Sequence, residues 1–314
     1  MTHVIEAQNL QKDLKVGFWG HKKAILHDVT FKVPQGAIVG FVGPNGAGKS
    51  TTIKLLLGAM KPTQGQISVL GQPPSSTQTK AKVGYLPEIQ NLPRTLKPVE
   101  LIQLHLHLSN SSHVNNTSHI DGLLEKVGMR SLKDQLLKGF SKGQQQRVGL
   151  ALALCHTPDL LILDEPMSGL DPIGRKVVRD IITEQKAQGK TIFFSSHVLP
   201  DVEALCDEII LLNEGRTLSQ GPINQIFGSH HSGYELTLGQ ADKILETMAL
   251  PSGTTVQRQG PHIVVQVDSQ KECLRLLQQL EPTSAIIHKV EAMKPTLEEE
   301  VIALIEQTQP REVS

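Results

Sequence analysis

The 314-residue sequence has no excess of charge of either sign, because 31 lysines and arginines balance 31 aspartates and glutamates. A dedicated nucleic-acid-binding domain normally carries a basic excess, so we expect no nucleic-acid partner. Cysteine is also scarce: Cys155, Cys206 and Cys273 are widely spaced and match no zinc-binding pattern. We expect them to be reduced thiols that act as small buried apolar side chains in a cytoplasmic protein.

Long apolar runs are missing as well. A membrane-spanning helix needs about 18 or more consecutive apolar residues. The longest candidates, near residues 150–155 and 160–163, are short and interrupted by polar positions. The opening residues MTHVIEAQNLQKDLK contain no apolar core of a signal peptide. The sequence therefore predicts a chain that is soluble by itself.

What the sequence does contain is an alternation of strand and helix patterns. Short strand patterns run to residue 42, residues 87–154 are mainly helical, and strands alternate with helices from residue 160 onward. This alternation indicates a parallel sheet in an α/β fold. After residue 228 the order strand, helix, strand, strand, helix, strand is that of a ferredoxin-like domain. We expect a first domain over residues 1–228, with a helical subdomain at about 87–154, and a small α+β accessory domain over 229–314.

A glycine-rich segment follows the nearly all-apolar strand pattern of residues 37–42. Residues 43–50 read GPNGAGKS and fill every fixed position of G-x-x-x-x-G-K-[ST], the phosphate-binding loop. Glycines let the backbone curl until its N–H groups face a phosphate at the start of a helix. The lysine then reaches the β- and γ-phosphates, and the serine hydroxyl binds Mg²⁺. The predicted ATP-binding residues are Gly43, Pro44, Asn45, Gly46, Ala47, Gly48, Lys49, Ser50 and Thr51.

Two adjacent acids end a second apolar strand pattern, LLILDEP at residues 160–166. A buried strand delivers such acids to the carboxyl edge of the sheet, where ligands bind in α/β folds. We expect Asp164 to hold Mg²⁺ together with Ser50. We expect Glu165 to polarise the attacking water as a general base.

Three further segments accompany these motifs: FSKGQQQR at 140–147, SGLDP at 168–172, and FFSSH ending in His197. Over about residues 4–225 this ordered set resembles the ABC ATPase family, with its phosphate loop, signature sequence, Walker B strand, D-loop and switch histidine. The resemblance implies a P-loop NTPase fold with a mixed sheet core and a helical subdomain. It also implies that the chain hydrolyses ATP with Mg²⁺.

The resemblance implies roles for residues on both sides of a dimer interface. In the family, the signature sequence of one subunit faces the γ-phosphate held by the phosphate loop of the other. It thereby implies that Lys49 acts with Glu165 and His197 in catalysis, that His197 contacts the γ-phosphate, and that Asp171 connects the two sites. The residues implied to act in trans are Ser141, Lys142, Gly143 and Gln144.

Some positions depart from the family's pattern. Lys142 stands where the signature usually has glycine, and Glu88 stands at the usual position of the Q-loop glutamine. A carboxylate at position 88 can still bind Mg²⁺ or a water, and Gln90 is a weaker substitute. Phe18 and Trp19 both qualify as the aromatic residue that stacks on adenine, and the spacing does not decide between them.

We weigh two classes of function. The leading hypothesis is an export motor: a homodimer around two ATP on the cytoplasmic face of the inner membrane, acting on separate integral membrane permease subunits. An importer would use the same motifs. The alternative is a soluble ABC mechanoenzyme acting on ribosomes or DNA, against which we count the single cassette and the lack of a coiled-coil heptad run.

His105 and His107, two residues apart on a predicted helix, make a poor metal pair and are expected in solvent.

Overall fold

A computed structural model describes residues 2–16, 21–226, 233–241 and 253–293, together with positions 244, 245, 248, 250, 251 and 301. The chain divides into two compact units, residues 1–226 and 227–314. In the described part of the chain, no helix is long and apolar enough to cross a membrane. All three cysteines are free; Cys155 and Cys273 are buried as expected, whereas Cys206 is only half-buried.

The first unit is built on a nine-stranded mixed sheet. Its strand order is β4-β1-β2-β9-β8-β3-β7-β6-β5. The run from β8 through β3, β7 and β6 to β5 is parallel, whereas β1 pairs antiparallel with β2 and β4. The strands are β1 (His3–Val16), β2 (His21–Pro34), β3 (Ile38–Val42), β4 (Gln64–Val69), β5 (Val83–Leu86), β6 (Leu160–Asp164), β7 (Thr191–Ser196), β8 (Glu208–Asn213) and β9 (Arg216–Pro222).

The centre of this sheet is covered on both faces. Every residue of β3, β6 and β7 is buried, which explains why their sequences are continuous apolar runs instead of alternating patterns. Phe31, Phe41 and Phe193 pack together with ring centroids 5.1–5.9 Å apart. This core holds the carboxyl ends of the central strands at one rigid edge, where the predicted motifs lie.

The helices of the first unit flank the sheet or lie between its strands. Between β5 and β6 the chain forms three α-helices and two short 3-10 turns, in the region expected to be helical. The helix that follows β6 begins at Pro172, because proline at the first helical position needs no N–H partner. The helices are α1 (Lys49–Leu56), α2 (Thr77–Lys80), α3 (Pro98–Leu108), α4 (Thr117–Lys126), α5 (Lys142–Leu154), α6 (Pro172–Ala187), α7 (Leu199–Leu205) and α8 (Ile223–Ile226).

The second unit carries its own four-stranded sheet. It comprises β10 (Gly233–Gly239), β11 (Thr255–Gln259), β12 (His262–Val267) and β13 (Ile286–Met293), with α9 (Gln270–Leu280) before the last strand. All the pairings are antiparallel, in the order β11-β12-β10-β13. This second sheet agrees with the predicted α+β unit, although most of the helix expected after β10 lies outside the described residues.

Candidate nucleotide-binding site

The loop between β3 and α1 has a backbone that only glycine adopts without cost. Gly46 and Gly48 have φ of +86° and +107°, in the left-handed region. A Cβ on Gly43 would lie 2.2 Å from the Leu212 carbonyl oxygen, so no side chain fits there. The loop therefore curls tightly into the first turn of α1, whose free N–H groups form an anion-binding site.

Lys49, at the start of α1, lies inside this curl and is only 7% exposed. Its Nζ donates to the carbonyl oxygens of Gly43 (2.6 Å) and Pro44 (3.3 Å) and lies 3.8 Å from Oε1 of Glu165. Burial lowers the pKa of Lys49, and the nearby carboxylates, chiefly that of Glu165, partly offset this effect. A phosphate entering the loop would place a further anion beside this buried ammonium, in addition to the Glu165 carboxylate.

Asp164 ends β6 and is held by a hydroxyl of the neighbouring strand. Ser195 pairs with Asp164 in the register of β6 and β7, and its Oγ donates to Oδ1 of Asp164 at 2.6 Å. The same Oγ accepts from the N–H of Glu165 at 3.0 Å. Burial raises the pKa of Asp164, although hydrogen bonds from Ser195 and Ser50 act in the opposite direction. Ser195 thus fixes both acids, although it was not among the predicted site residues.

Glu165 turns away from the line of β6 in a strained conformation. Its φ is +49°, a region that costs a non-glycine residue roughly 1 kcal/mol or more and that clusters at functional sites. Its Oε2 lies 2.9 Å from Nδ1 of His197, the residue after β7, and its own side chain is almost fully buried. His197 is about half exposed, so the pair has one buried and one solvent-facing member.

These groups line one open pocket of about 390 Å³. Hydroxyl and carboxylate oxygens of Ser50, Asp164 and Glu88 face it, a donor set that suits Mg²⁺. Of the predicted phosphate loop, Gly43 and the buried Ala47 support the wall without facing the pocket. The lining residues are Lys23, Ile25, Pro44, Asn45, Gly46, Gly48, Lys49, Ser50, Thr51, Glu88, Asp164, Glu165 and His197.

Two of these lining residues, Lys23 and Ile25, were not predicted. Both lie on β2, where the pairing with β1 shifts register at Ile25, and both line the pocket. Their position shortly after Phe18 and Trp19 is the signal that could have indicated them. Phe18 and Trp19 themselves lie outside the described residues.

Glu88 and Gln90 lie in different surroundings. Glu88 is exposed at the pocket. The Nε2 of Gln90 instead donates to the Pro87 carbonyl oxygen (2.6 Å) and to Oε1 of Gln146 on α5 (3.3 Å). The structure therefore gives Gln90 a contact with the signature helix, and Glu88 is the residue at the pocket.

The signature segment opens α5 with a reciprocal cap. Ser141 Oγ accepts from the N–H of Gln144 (3.2 Å), and Gln144 Oε1 accepts from the N–H of Ser141 (2.8 Å). The hydroxyl of Ser141 acts only as an acceptor in this cap, so its proton remains able to donate to an incoming ligand. Ser141 and Lys142 are exposed, and neither belongs to the described lining of the pocket.

The signature also packs against the D-loop of its own chain. The Lys142 side chain packs closely on Gly169: a Cβ added at Gly169 would lie 3.0 Å from Cδ of Lys142. A Cβ on Gly143 would lie 3.3 Å from Cδ2 of Leu170. Asp171 caps α6, with its Oδ1 accepting from the N–H of Gly174 at 2.8 Å. These contacts connect the signature and the D-loop, the two segments that the family resemblance implies at a dimer interface.

The histidines expected in solvent are arranged differently. His107 is exposed, as expected. His105 faces inward: its ring centroid lies 5.8 Å from that of His156, and burial lowers its pKa. The expectation was wrong for His105 because α3 packs on α5, which the spacing within α3 could not indicate.

Comparisons with known proteins agree with this geometry. Residues 26–168 match the family model described as ABC transporter. The chain is 41% identical over 240 residues to an uncharacterized ABC transporter ATP-binding protein of Synechocystis sp., covering 76% of this chain and 68% of the relative. It is 36% identical over 251 residues to the bacitracin transport ATP-binding protein BcrA of Bacillus licheniformis, covering 79% of each.

A solved structure described as the ATP-binding subunit of an ABC transporter has a TM-score of 0.64 at 32% identity. The match covers 71% of this chain and 91% of that one. The predicted family and P-loop fold are thus confirmed. The chain belongs to the family of ABC transporter ATP-binding subunits and is an ATP-binding ATPase.

Proposed function

We propose that the chain is the motor subunit of an exporter, working as a homodimer that closes around two ATP molecules. The observation that supports this most directly is that the site is one-sided. One pocket is lined by the Lys49 ammonium, by oxygen atoms that suit Mg²⁺ and by the Glu165–His197 pair. The exposed Ser141 hydroxyl lies outside the described lining of this pocket. A second copy would bring Ser141 and the N–H of Gly143 to the γ-phosphate, at a helix N-terminus suited to anions.

Within one site, each group has a chemical role. Ser50, Asp164 and Glu88 would hold Mg²⁺, which neutralises charge on the β- and γ-phosphates when it is bound. The Lys49 ammonium would leave its two carbonyl acceptors for the phosphate oxygens. Glu165 would take the proton of the attacking water, and His197 would hold the geometry at the γ-phosphate.

Cross-interface roles fall to the signature and the D-loop. Lys142 adds a cation next to the Ser141 hydroxyl, and its stem lies on Gly169. A closing partner would therefore meet the signature and the D-loop as one packed surface. Asp171 stays near that surface through its cap on α6.

The membrane partner would dock on the helical region between β5 and β6. Leu104 and Leu108, one turn apart on α3, are 46% and 77% exposed, and Ile89, next to Glu88, is 67% exposed. Exposed apolar side chains of this size favour contact with another protein. We propose that integral membrane permease subunits cover them, which would place the chain at the cytoplasmic face of the membrane.

The proposed direction is export. It rests on the likeness of FSKGQQQRVGLALAL and SGLDPIGR to cassettes that pair with separate export-type permeases, and one relative is named for bacitracin transport. The accessory domain predicted over residues 229–314, which falls within the second unit, would be a regulatory or docking part of this motor.

Affinity purification from detergent-solubilised membranes tests the proposal. We expect integral membrane proteins to co-purify with the tagged chain, and replacing Leu104 and Leu108 with serine to reduce their recovery. The matched control replaces Leu274, an exposed leucine of α9 in the second unit, with serine. Recovery of ribosomes or DNA, with no membrane protein, would instead support a soluble mechanoenzyme.

A further inference from the structure

A cluster of potential metal ligands lies away from the nucleotide pocket, between α3 and the end of α5. It consists of His105 on α3 together with Cys155 and His156, the two residues that follow α5. One ligand atom from each residue lies within 4.8 Å of the others. Cys155 is fully buried and both histidines are half-buried, so the cluster is enclosed yet near the surface.

The hydrogen bonding of His156 fixes which of its nitrogens is free. Its Nε2 lies 3.2 Å from the Val83 carbonyl oxygen, which can only accept, so Nε2 carries the proton. Nδ1 then has the lone pair. This atom is buried and has no hydrogen-bond partner in the described part of the chain. In metal-binding histidines, one ring nitrogen commonly donates to a carbonyl oxygen, which fixes the tautomer and leaves the other nitrogen free to bind the metal.

The Cys155 thiol is buried beside these rings, and its Sγ contacts the Leu152 carbonyl oxygen at 3.1 Å. Binding of a metal ion by this sulfur requires the loss of the thiol proton.

We propose that His105, Cys155 and His156 form a Zn²⁺ site with Cys155 Sγ, a nitrogen of His105 and Nδ1 of His156 as ligands. Two imidazoles and one thiolate suit Zn²⁺, and three protein ligands leave a fourth tetrahedral position for water. A Zn–S bond replaces the S–H bond, and one proton leaves to solvent for each ion bound. The ligand atoms lie up to 4.8 Å apart and must approach to roughly 3.5 Å around a tetrahedral ion, which requires rotation of the His105 side chain.

The site would join three elements of the first unit through one ion. His105 belongs to α3, Cys155 and His156 follow α5, and Val83, which orients His156, belongs to β5. The chain continues from β5 to Glu88 at the nucleotide pocket, and α5 begins at the signature. Zn²⁺ would therefore hold the helical region against the sheet edge that leads to the ATP site. The inference does not depend on dimerisation or on export.

Metal binding to the full, untagged chain tests the proposal. With Co²⁺ in place of Zn²⁺, we expect a thiolate-to-cobalt charge-transfer band and the visible bands of tetrahedral cobalt, and competition with a chromophoric chelator should give one Zn²⁺ per chain. Zn²⁺ should also raise the unfolding temperature. Cys155→Ser should abolish the charge-transfer band, and His105→Gln should weaken Zn²⁺ binding by more than about 100-fold, beyond the usual loss of a second-shell partner.

The controls separate this site from other histidines. His107→Gln changes an exposed ring of the same helix and should leave Zn²⁺ affinity unchanged. His113→Gln removes one ring of the stacked pair formed by His113 and His119, whose ring centroids lie 4.2 Å apart. This pair could hold a surface ion. Loss of binding in His113→Gln with retention in Cys155→Ser would overturn the proposal. The proposal would also be overturned by a folded wild-type chain that binds Co²⁺ without a thiolate band. Binding of Cu⁺ but not Zn²⁺, or of neither Co²⁺ nor Zn²⁺, would overturn it as well.

Discussion

The Nδ1 atom of His197 lies 2.9 Å from Oε2 of Glu165, at the ends of the neighbouring parallel strands β7 and β6. This contact joins a histidine that solvent can reach to a buried carboxylate whose backbone has a φ of +49°. The two side chains are thus positioned by the ends of two neighbouring strands. Such preorganisation is what electrostatic catalysis of phosphoryl transfer requires.

Replacing Glu165 tests its role as the base. We expect Glu165→Gln to lower kcat for ATP hydrolysis by about 10²- to 10⁴-fold, because an amide cannot take the proton of the attacking water. ATP binding should persist, since Lys49 and the phosphate loop are unchanged, and size exclusion with MgATP should show a stable dimer. The control Glu203→Gln, at an exposed position of α7, should keep the wild-type rate. Wild-type turnover in Glu165→Gln would remove Glu165 from this role.

Asp164 connects the site to the pH dependence of stability. Burial raises its pKa above the ordinary value of 3.8, so the folded chain binds a proton here that the unfolded chain releases at the same pH. The contribution of this group to the free energy of unfolding therefore falls as pH rises from about 3.8 through the folded pKa. Above that window, the ionised carboxylate destabilises the nucleotide-free chain.

We accordingly expect Asp164→Asn to unfold at a higher urea concentration than wild type at pH 7 in EDTA, while losing ATPase activity. The difference should shrink as the pH is lowered toward 4, because the wild-type carboxyl then becomes neutral. Urea titrations at both pH values measure this. A variant that is less stable than wild type at pH 7 would contradict the assigned sign.

Ser195 should behave as a positioning residue. Ser195→Ala removes the acceptor of the Glu165 N–H and the donor to Asp164, so we expect a loss of about 1–3 kcal/mol in stability and a fall in kcat that exceeds the change in KM. Ser196→Ala is the matched control, because its hydroxyl accepts from the Val198 N–H at 2.9 Å. Ser196→Ala should lower the free energy of unfolding by a similar amount and leave kcat near the wild-type value. Equal effects on kcat in both variants would mean that Ser195 is only structural.

The sequence indicated those parts of the site that local chemistry determines. Residues 43–51 could be predicted because turn glycines and a helix start act within a few positions, and 160–165 because a buried strand has a recognisable apolar run. The parallel direction of β3, β7, β6 and β5 follows from strand and helix alternation, although their order in the sheet does not. It brings Lys49, Asp164, Glu165 and His197 to one edge.

The remaining features depend on register and packing between distant segments. Ser195 meets Asp164 only because β7 pairs with β6 in one register, and nothing near either residue specifies that pairing. His105 meets His156 only because α3 packs beside the end of α5. A single sequence records the residue types at such contacts but not which of them touch. Gln90 was likewise interpreted by its position in the chain, whereas its contact with α5 is tertiary.

Ser141 has two proposed tasks that substitution can separate. As the N-cap of α5 it only needs an acceptor for the Gln144 N–H, and aspartate caps as well as serine. As a donor to a partner's γ-phosphate it needs a hydroxyl proton, which aspartate lacks at neutral pH. A negative charge at this position would also repel the triphosphate.

We expect Ser141→Ala to lose about 1 kcal/mol of stability and Ser141→Asp to lose almost none. In a Glu165→Gln background both should weaken the MgATP-dependent dimer, and Ser141→Asp should weaken it more. Urea unfolding and light scattering measure the two tasks separately, and an intact dimer in Ser141→Asp would show that this residue does not face the nucleotide of the other copy.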